Sequence, residues 1–297
     1  MKTLSNDLGK ILAQLAPTAG IHTTGVPGVH CGRIDVADRR AVKRPWRACL
    51  GFIGQGSKNV KLEREVFHLD THHFTATPIQ LPVLSQIISA TPEKPFLCIL
   101  IDLNPIVLNE VAALFEVTSL QSADDPVRAI FSGTVTETMA DAVLRLARLL
   151  LSGEDAPVLG PLVVKELFYH LLKGPEGSAI RQFVRSGSKM HKITEAIYKL
   201  NADLSEEVDV IAMAKAANMS RSAFFKYFKE ITSMSPIQYQ KRLRLHEARR
   251  LMVFEDETAE SSAFRVGYKS ASQFSREYSR MFGNSPLRDA SKMKQNV

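Results

Sequence analysis

Cysteine is scarce in this chain: Cys31, Cys49 and Cys98 are odd in number and lack metal-ligand spacing, which argues against a disulfide framework or a zinc site. No apolar run approaches the ~18 residues of a membrane span. Phe96 to Ile101 is among the longest and reads as a buried strand. The first residues, Met-Lys-Thr-Leu-Ser-Asn-Asp, lack the continuous apolar core of a signal peptide, so a cytoplasmic protein with no membrane partner is expected. Equally absent are a nucleophile–base arrangement, a metal cluster and a phosphate loop. No catalytic residue, metal ligand or cofactor is therefore assigned, and an enzyme is not expected.

What is there is an ordinary globular composition, 45% apolar and 23% charged, in 297 residues that suggest two domains. The net charge of +7 is unevenly placed. From Ser186 onward there are 19 Lys+Arg against 13 Asp+Glu, whereas the first 185 residues hold 19 against 18. A basic excess in the C-terminal third fits a surface that faces a polyanion.

That third repeats itself. At an offset of 50 residues, Ser220, Ser222, Phe224, Lys226, Phe228 and Ile231 fall on Ser270, Ser272, Phe274, Arg276, Tyr278 and Met281. Both copies close with Ser-Pro, at Ser235-Pro236 and Ser285-Pro286. A period of this length marks a duplicated supersecondary unit. Each copy reads as helix, tight turn, helix. In the first, Val210, Ile211, Met213 and Ala214 form an apolar face, Ala217-Asn218-Met219 the turn, and Ser220 the cap of the second helix. In the second, Ala263, Phe264 and Val266 end at Gly267-Tyr268, and Ser270 with Gln273 reads as a capping box. Phe224, Phe228 and Ile231, like Phe274, Tyr278 and Met281, follow the spacing of an inward stripe.

Between the copies, Pro236 to about Val253 reads as one helix, capped by Ser235 with Gln238. Arg242, Arg244, Arg249 and Arg250 are candidates for its exposed face; Ile237, Leu243, Leu245, Ala248 and Leu251 are candidates for packing. Such a rod is roughly 27 Å long, against roughly 34 Å between successive major grooves on one face of DNA.

These residues resemble the AraC/XylS family of transcription regulators from about Leu204 to Ala290. The most specific stretch runs Ala263-Phe-Arg-Val-Gly-Tyr-Lys-Ser-Ala-Ser-Gln-Phe-Ser-Arg-Glu-Tyr, then Phe282-Gly-Asn-Ser-Pro. The first copy matches through Met219-Ser-Arg-Ser-Ala-Phe and Arg242-Leu-Arg-Leu-His-Glu-Ala-Arg-Arg-Leu-Met. The resemblance implies a sequence-specific regulator of transcription, nucleoid-associated in a bacterium. Both units would enter the major groove of double-stranded DNA, and activation through RNA polymerase is favoured over repression. With Phe224 and Phe228 inward, the DNA-facing side of the first unit is Arg221, Ser222, Phe225 and Lys226; the same surface of the second is Ala271, Ser272, Ser275 and Arg276. Lys226 and Arg276 stand at matching places and have the reach for guanine O6/N7.

The N-terminal two-thirds differs. Leu4, Leu8, Ile11, Leu12 and Leu15 form an amphipathic helix. Strand-like segments follow at Val29–Ile34, Ala48–Ile53, Val60–Leu62, Glu65–Leu69, His73–Thr77, Val83–Ser89 and Phe96–Leu103, which suggests a small barrel or sandwich. After about Thr136 the pattern becomes helical, with apolar faces at Met139, Val143, Leu146, Leu149 and Leu150, and at Leu162, Leu167, Phe168 and Leu171. Ile53-Gly-Gln-Gly-Ser-Lys, Leu81-Pro-Val, Pro161 and Glu166-Leu-Phe-Tyr-His-Leu-Leu resemble the cupin-like N-terminal domain of one AraC subgroup. The resemblance implies binding of a small-molecule effector, assembly of a homodimer, or both.

His68, His72 and His73 lack the His-x-His-glutamate pattern of metal cupins and read as surface or strand histidines. The cysteines read as buried strand residues rather than sensors. The expected fold is α+β: a cupin-like β-barrel with flanking helices (1–175), a linker (176–188) that could hold a short helix near Ile180 to Val184, and an all-α domain of two helix-turn-helix units joined by a linker helix (189–297).

Overall fold

The computed structural model describes residues 2–38, 41–62, 65–115, 129–185 and 187–294. Ser186 in the expected linker, and the side chain of Leu4 in the first amphipathic face, lie outside what is described. The chain is mixed α+β and divides into an N-terminal unit of residues 1–42 and 46–191 and a C-terminal unit containing 192–297.

In the N-terminal unit, helix α1 (Lys2–Leu15) is followed by nine strands: β1 (Gly20–Thr23), β2 (Val29–Ile34), β3 (Val42–Trp46), β4 (Cys49–Gln55), β5 (Ser57–Leu62), β6 (Glu65–Leu69), β7 (His73–Thr77), β8 (Leu81–Ser89) and β9 (Phe96–Asp102). Helix α2 (Pro105–Ala112) and strand β10 (Phe131–Thr134) complete the sheets, before α3 (Glu137–Ser152), α4 (Ala156–Lys173) and α5 (Gly177–Val184). One sheet has six strands in the order β1-β2-β9-β4-β7-β10; the other has four, β3-β8-β5-β6. Val29 and Cys31 on β2 and Leu97, Ile99 and Ile101 on β9 alternate to one face, all buried, as do Leu50 and Phe52 on the neighbouring β4. Helix α1 lies across β4 and β9. Gly54 permits this approach, since a Cβ there would stand 2.7 Å from Leu12 Cδ1.

The segments read from alternation are strands with small shifts at their ends. β1, β3 and β10 escaped notice because each is four or five residues long and lacks an alternating apolar pattern. On α3, Met139, Val143 and Leu146 are buried as expected. On α4, Leu167, Phe168 and Leu171 are buried, but Leu162, expected on the same face, is 62% exposed because it lies on the opposite side of the helix. Within the stretch expected to be the linker, α5 is a packed helix: Ile180 and Phe183 are buried, and Phe183 meets Phe131 edge-on at 6.0 Å.

From residue 189 onward the described elements are all helices: α6 (Lys189–Ala202), α7 (Val210–Ala216), α8 (Arg221–Thr232), α9 (Pro236–Phe254), α10 (Ala259–Arg265), α11 (Ala271–Phe282) and α12 (Pro286–Lys294). Each α9 half belongs to a different core. Tyr239 near its start packs with Phe228 at 5.6 Å, while Leu245, Ala248, Leu251 and Met252 join Ala263, Phe274 and Tyr278.

Candidate nucleic-acid interface

The two helix-turn-helix units are built by the same local chemistry. Asp209 caps α7 by accepting from the Ile211 and Ala212 amides. Asn218 then takes a left-handed conformation (φ 53°), and the Met219 amide donates to Ala214 C=O at 2.9 Å. Ser220 caps α8 through the Ala223 amide. In the second unit Thr258 caps α10 through the Ser261 amide. Gly267 (φ 90°) makes the turn, the Tyr268 amide donates to Ala263 C=O at 2.9 Å, and Ser270 caps α11. Left-handed Ser233 and Gly283 end α8 and α11.

The duplication therefore runs at two offsets. Asp209/Thr258, Ala214/Ala263 and Asn218/Gly267 are 49 residues apart, while Ser220/Ser270, Phe224/Phe274 and Ser233/Gly283 are 50 apart. The additional residue lies in the second turn, where Lys269 stands between Tyr268 and the Ser270 cap. Its side chain is 89% exposed and sits 3.4 Å from Glu207. The 50-residue register of matching side chains starts at Ser220 and Ser270, beyond the slip, and so carries no sign of Lys269.

Phe224, Phe228, Phe274 and Tyr278 are fully buried, which fixes the outward side of both second helices. On that side Arg221, Ser222 and Lys226 of α8 are exposed and Phe225 is half-buried; on α11 Ser272 and Arg276 are exposed, and Ala271 and Ser275 are half-buried. The Arg221 guanidinium lies 5.9 Å from the Phe225 ring. Lys226 is held only loosely, 3.9 Å from Glu230, and Arg276 forms no ion pair among the described residues. Solvated cations beside the N-terminal half of a capped helix suit an anionic partner.

The linker helix departs from expectation at Arg244, Arg249 and Ile237, and Arg242 is half-buried as well, so that of the four arginines only Arg250 is exposed. Arg244 is not on an exposed face: it is half-buried, and its guanidinium donates to the carbonyls of Leu204, Ser205, Glu206 and Gly267. Arg249 also turns inward, pairing with buried Asp289 of α12 at 2.8 Å and lying 4.4 Å from the Phe282 ring. Asp289 accepts in addition from the Tyr278 hydroxyl, whose pKa is raised by burial and by that carboxylate. Ile237, expected to pack, is 57% exposed. Periodicity could not find these positions, because both arginines answer to groups distant in sequence.

Caps differ as well. Ser235 and Gln238 form both arms of a capping box. At Ser270 only the serine arm exists, because Gln273 Nε2 donates to Glu277 instead, at 3.2 Å. Burial opposes ionisation of Glu277, yet Lys241 at 2.6 Å, the Tyr268 hydroxyl and Gln273 hold its pKa below the usual carboxylate range.

In the N-terminal unit, His68 bonds Asn59 on the adjacent strand and His73 bonds Asp70, each at 2.7 Å. Burial pushes the Cys31 and Cys49 thiols up to about 12 and raises Cys98 too, so all three stay protonated at neutral pH.

Comparison with known proteins bears on both units. Residues 25–179 match the model of the AraC-type transcriptional regulator N-terminus, and residues 213–290 match that of a helix-turn-helix domain. Curated relatives include the transcriptional regulator ArgR of Pseudomonas aeruginosa, 30% identical over 149 residues, 50% of this chain and 45% of that protein. ExsA of the same organism is 25% identical over 171 residues, covering 58% and 61%. The transcriptional activator RhaS of Pectobacterium carotovorum is 28% identical over 122 residues, covering 41% and 43%. The chain thus spans about half the length of the curated relatives it matches. Among solved structures, ToxT of Vibrio cholerae aligns with a TM-score of 0.59 over 91% of this chain and 98% of its own, at 10% identity. Its unsaturated-fatty-acid-bound form aligns at 0.60 over 88% and 94%, at 12% identity, so the likeness is one of fold. With the N-terminal model alone covering more than half of the residues and a helix-turn-helix domain following it, the chain belongs to the AraC family of transcriptional regulators.

Proposed function

We propose that this protein is a sequence-specific regulator that places α8 and α11 in adjacent major grooves of double-stranded DNA. The observation that carries this reading is the pair of helices itself. They share the same serine cap, the same buried aromatic stripe and the same outward cation, and a 19-residue helix separates them. Arg221, Ser222, Phe225 and Lys226 of the first helix and Ala271, Ser272, Ser275 and Arg276 of the second form the DNA-facing surface. The N-terminal unit binds a small-molecule effector and pairs the protein as a homodimer. The DNA-bound form activates transcription by contacting RNA polymerase, a reading supported by the activator RhaS among the relatives. It acts in the cytoplasm at the nucleoid and is not an enzyme; among the described residues no helix is long and apolar enough to cross a membrane. The DNA-binding domain begins at 189, and the linker is confined to the short stretch after α5, which packs in the N-terminal unit.

Selection of bound DNA from a random pool tests the reading. A recovered motif with two half-sites about one helical turn apart is expected. Recovery of sequences without a shared motif would replace it with a non-specific, architectural binder.

A further inference from the structure

The two units of a double reader bind as one only if something fixes their mutual phase, and α9 alone leaves the loop before α7 and the turn after α10 to be fastened. Arg244, midway along α9, does both. Its Nε donates to Leu204 C=O at 2.6 Å, and Nη2 donates to Ser205 and Glu206 C=O at 3.0 and 2.8 Å, all in the loop that leads into the first unit. Its Nη1 donates to Gly267 C=O at 3.1 Å, in the turn of the second unit. One turn earlier on α9, Gln240 Nε2 donates to Leu204 and Glu206 C=O at 3.3 and 2.6 Å. The two segments also meet directly. A Cβ at Gly267 would lie 2.4 Å from Ser205 O, so only glycine admits the loop this close, and Lys269 pairs with Glu207 across the same seam.

We infer that Arg244 is a positioning residue that staples the turn of the second helix-turn-helix to the loop of the first, so that α8 and α11 read DNA as one rigid body with one permitted half-site spacing. The guanidinium suits this because its donors fan out in one plane and satisfy carbonyls on both sides at once. A lysine in its place has the charge but a single donor centre, and reaches one side only. The half-buried setting lowers the Arg244 pKa through desolvation, yet an arginine remains charged at any working pH. This inference rests on the two-groove reading above, with Arg244 itself touching no DNA.

The test has two arms on the full-length protein. In the first, nitroxides on Lys229→Cys and Arg280→Cys, both exposed, report the distance between α8 and α11 without DNA. The native thiols, buried at Cys31 and Cys98, half-buried at Cys49 and all pushed up in pKa, label slowly. Wild type should show one narrow distance and Arg244→Lys a distribution at least twice as broad, with helical content unchanged. In the second arm, binding is measured on the selected two-half-site DNA, on the same DNA lengthened by one or two base pairs between half-sites, and on the first half-site alone. Arg244→Lys and Arg244→Ala should lose about tenfold on the optimal site and flatten the spacing preference to within about threefold, while half-site affinity stays within about twofold. An equally narrow distance in the variant, an unchanged spacing preference, or a matching loss on the isolated half-site would each overturn the staple. Failure of wild type to prefer any DNA, alongside a broadened distance in the variant, would overturn the DNA reading and leave the staple standing.

Discussion

Single residues divide into those that look outward and those that the fold claims for itself. Lys226 and Arg276 occupy the same place on α8 and α11 and face solvent. If they read bases, Lys226→Ala and Arg276→Ala should each cost about 1–3 kcal/mol on the selected site and far less on random DNA. A phosphate anchor weakens both DNAs alike and reduces the salt slope by about one. Salt titrations of each variant on both DNAs separate the two roles, and equal losses would pass base reading to Arg221, Ser222, Ser272 or Ser275. Glu277 is of the other kind. Its folded-state pKa is depressed, so its pairing with Lys241 and Tyr268 stabilises the domain above the unfolded value of about 4.3 and is lost as pH falls through the folded value. Glu277→Gln should therefore lower stability by about 1–2 kcal/mol at pH 7. The gap from wild type should narrow below pH 4, as read by denaturant titration at both pH values; a gap independent of pH would assign the effect to packing.

At the level of elements, caps and stripes decide how the helices sit. Ser235 and Gln238 satisfy two end groups of α9 reciprocally, and Ser235→Ala should cost about 1 kcal/mol in chemical denaturation. Phe228 is fully buried between Phe224 and Tyr239, so Phe228→Ala should cost about 3–5 kcal/mol and unfold the first unit rather than change its sequence preference. Residual binding by that variant with altered specificity would place Phe228 at the interface instead. The stripes that orient α8 and α11 were legible because aromatic residues at i and i+4 leave little choice of face. The one-residue slip between the copies was not legible from the helices that match best, since turn geometry, not side-chain identity, equates Asn218 with Gly267.

For the molecule as a whole, charge and apolar surface allot the tasks. The basic excess lies from Ser186 onward, and a fragment starting there is expected to fold and to bind the selected DNA. A loss of helical circular dichroism in that fragment would show instead that the DNA-binding domain depends on residues before it. In the N-terminal unit, Leu151, Val158, Leu159 and Leu162 on α3 and α4 remain exposed after the core is filled. The proposed homodimer is expected to use the part of this surface around Leu159 and Leu162, which Arg145, Arg148 and Glu166 border with both signs of charge. Leu162→Asp should convert a sedimenting dimer to monomer at tens of micromolar. A monomeric wild type, or an unaffected dimer, would remove the patch from that role.

Local rules were enough for much of this chain. Alternation marked seven of the strands, three-to-four spacing marked the helices, and serine, asparagine and glycine marked their ends, because each of these signals arises within a few residues of backbone. The outward cations of α8 and α11 followed from the same periodicity. Long-range pairing lay beyond those rules. β1 and β10 are strands by virtue of lying beside β2 and β7, and α5 is packed rather than a free linker because Ile180 and Phe183 find a core. Arg244 and Arg249, alike on paper with the exposed Arg250, turn inward because carbonyls at 204–206 and 267 and a carboxylate at 289 wait for them. A charged side chain is drawn from water only where such partners converge, and their convergence is a property of the folded chain.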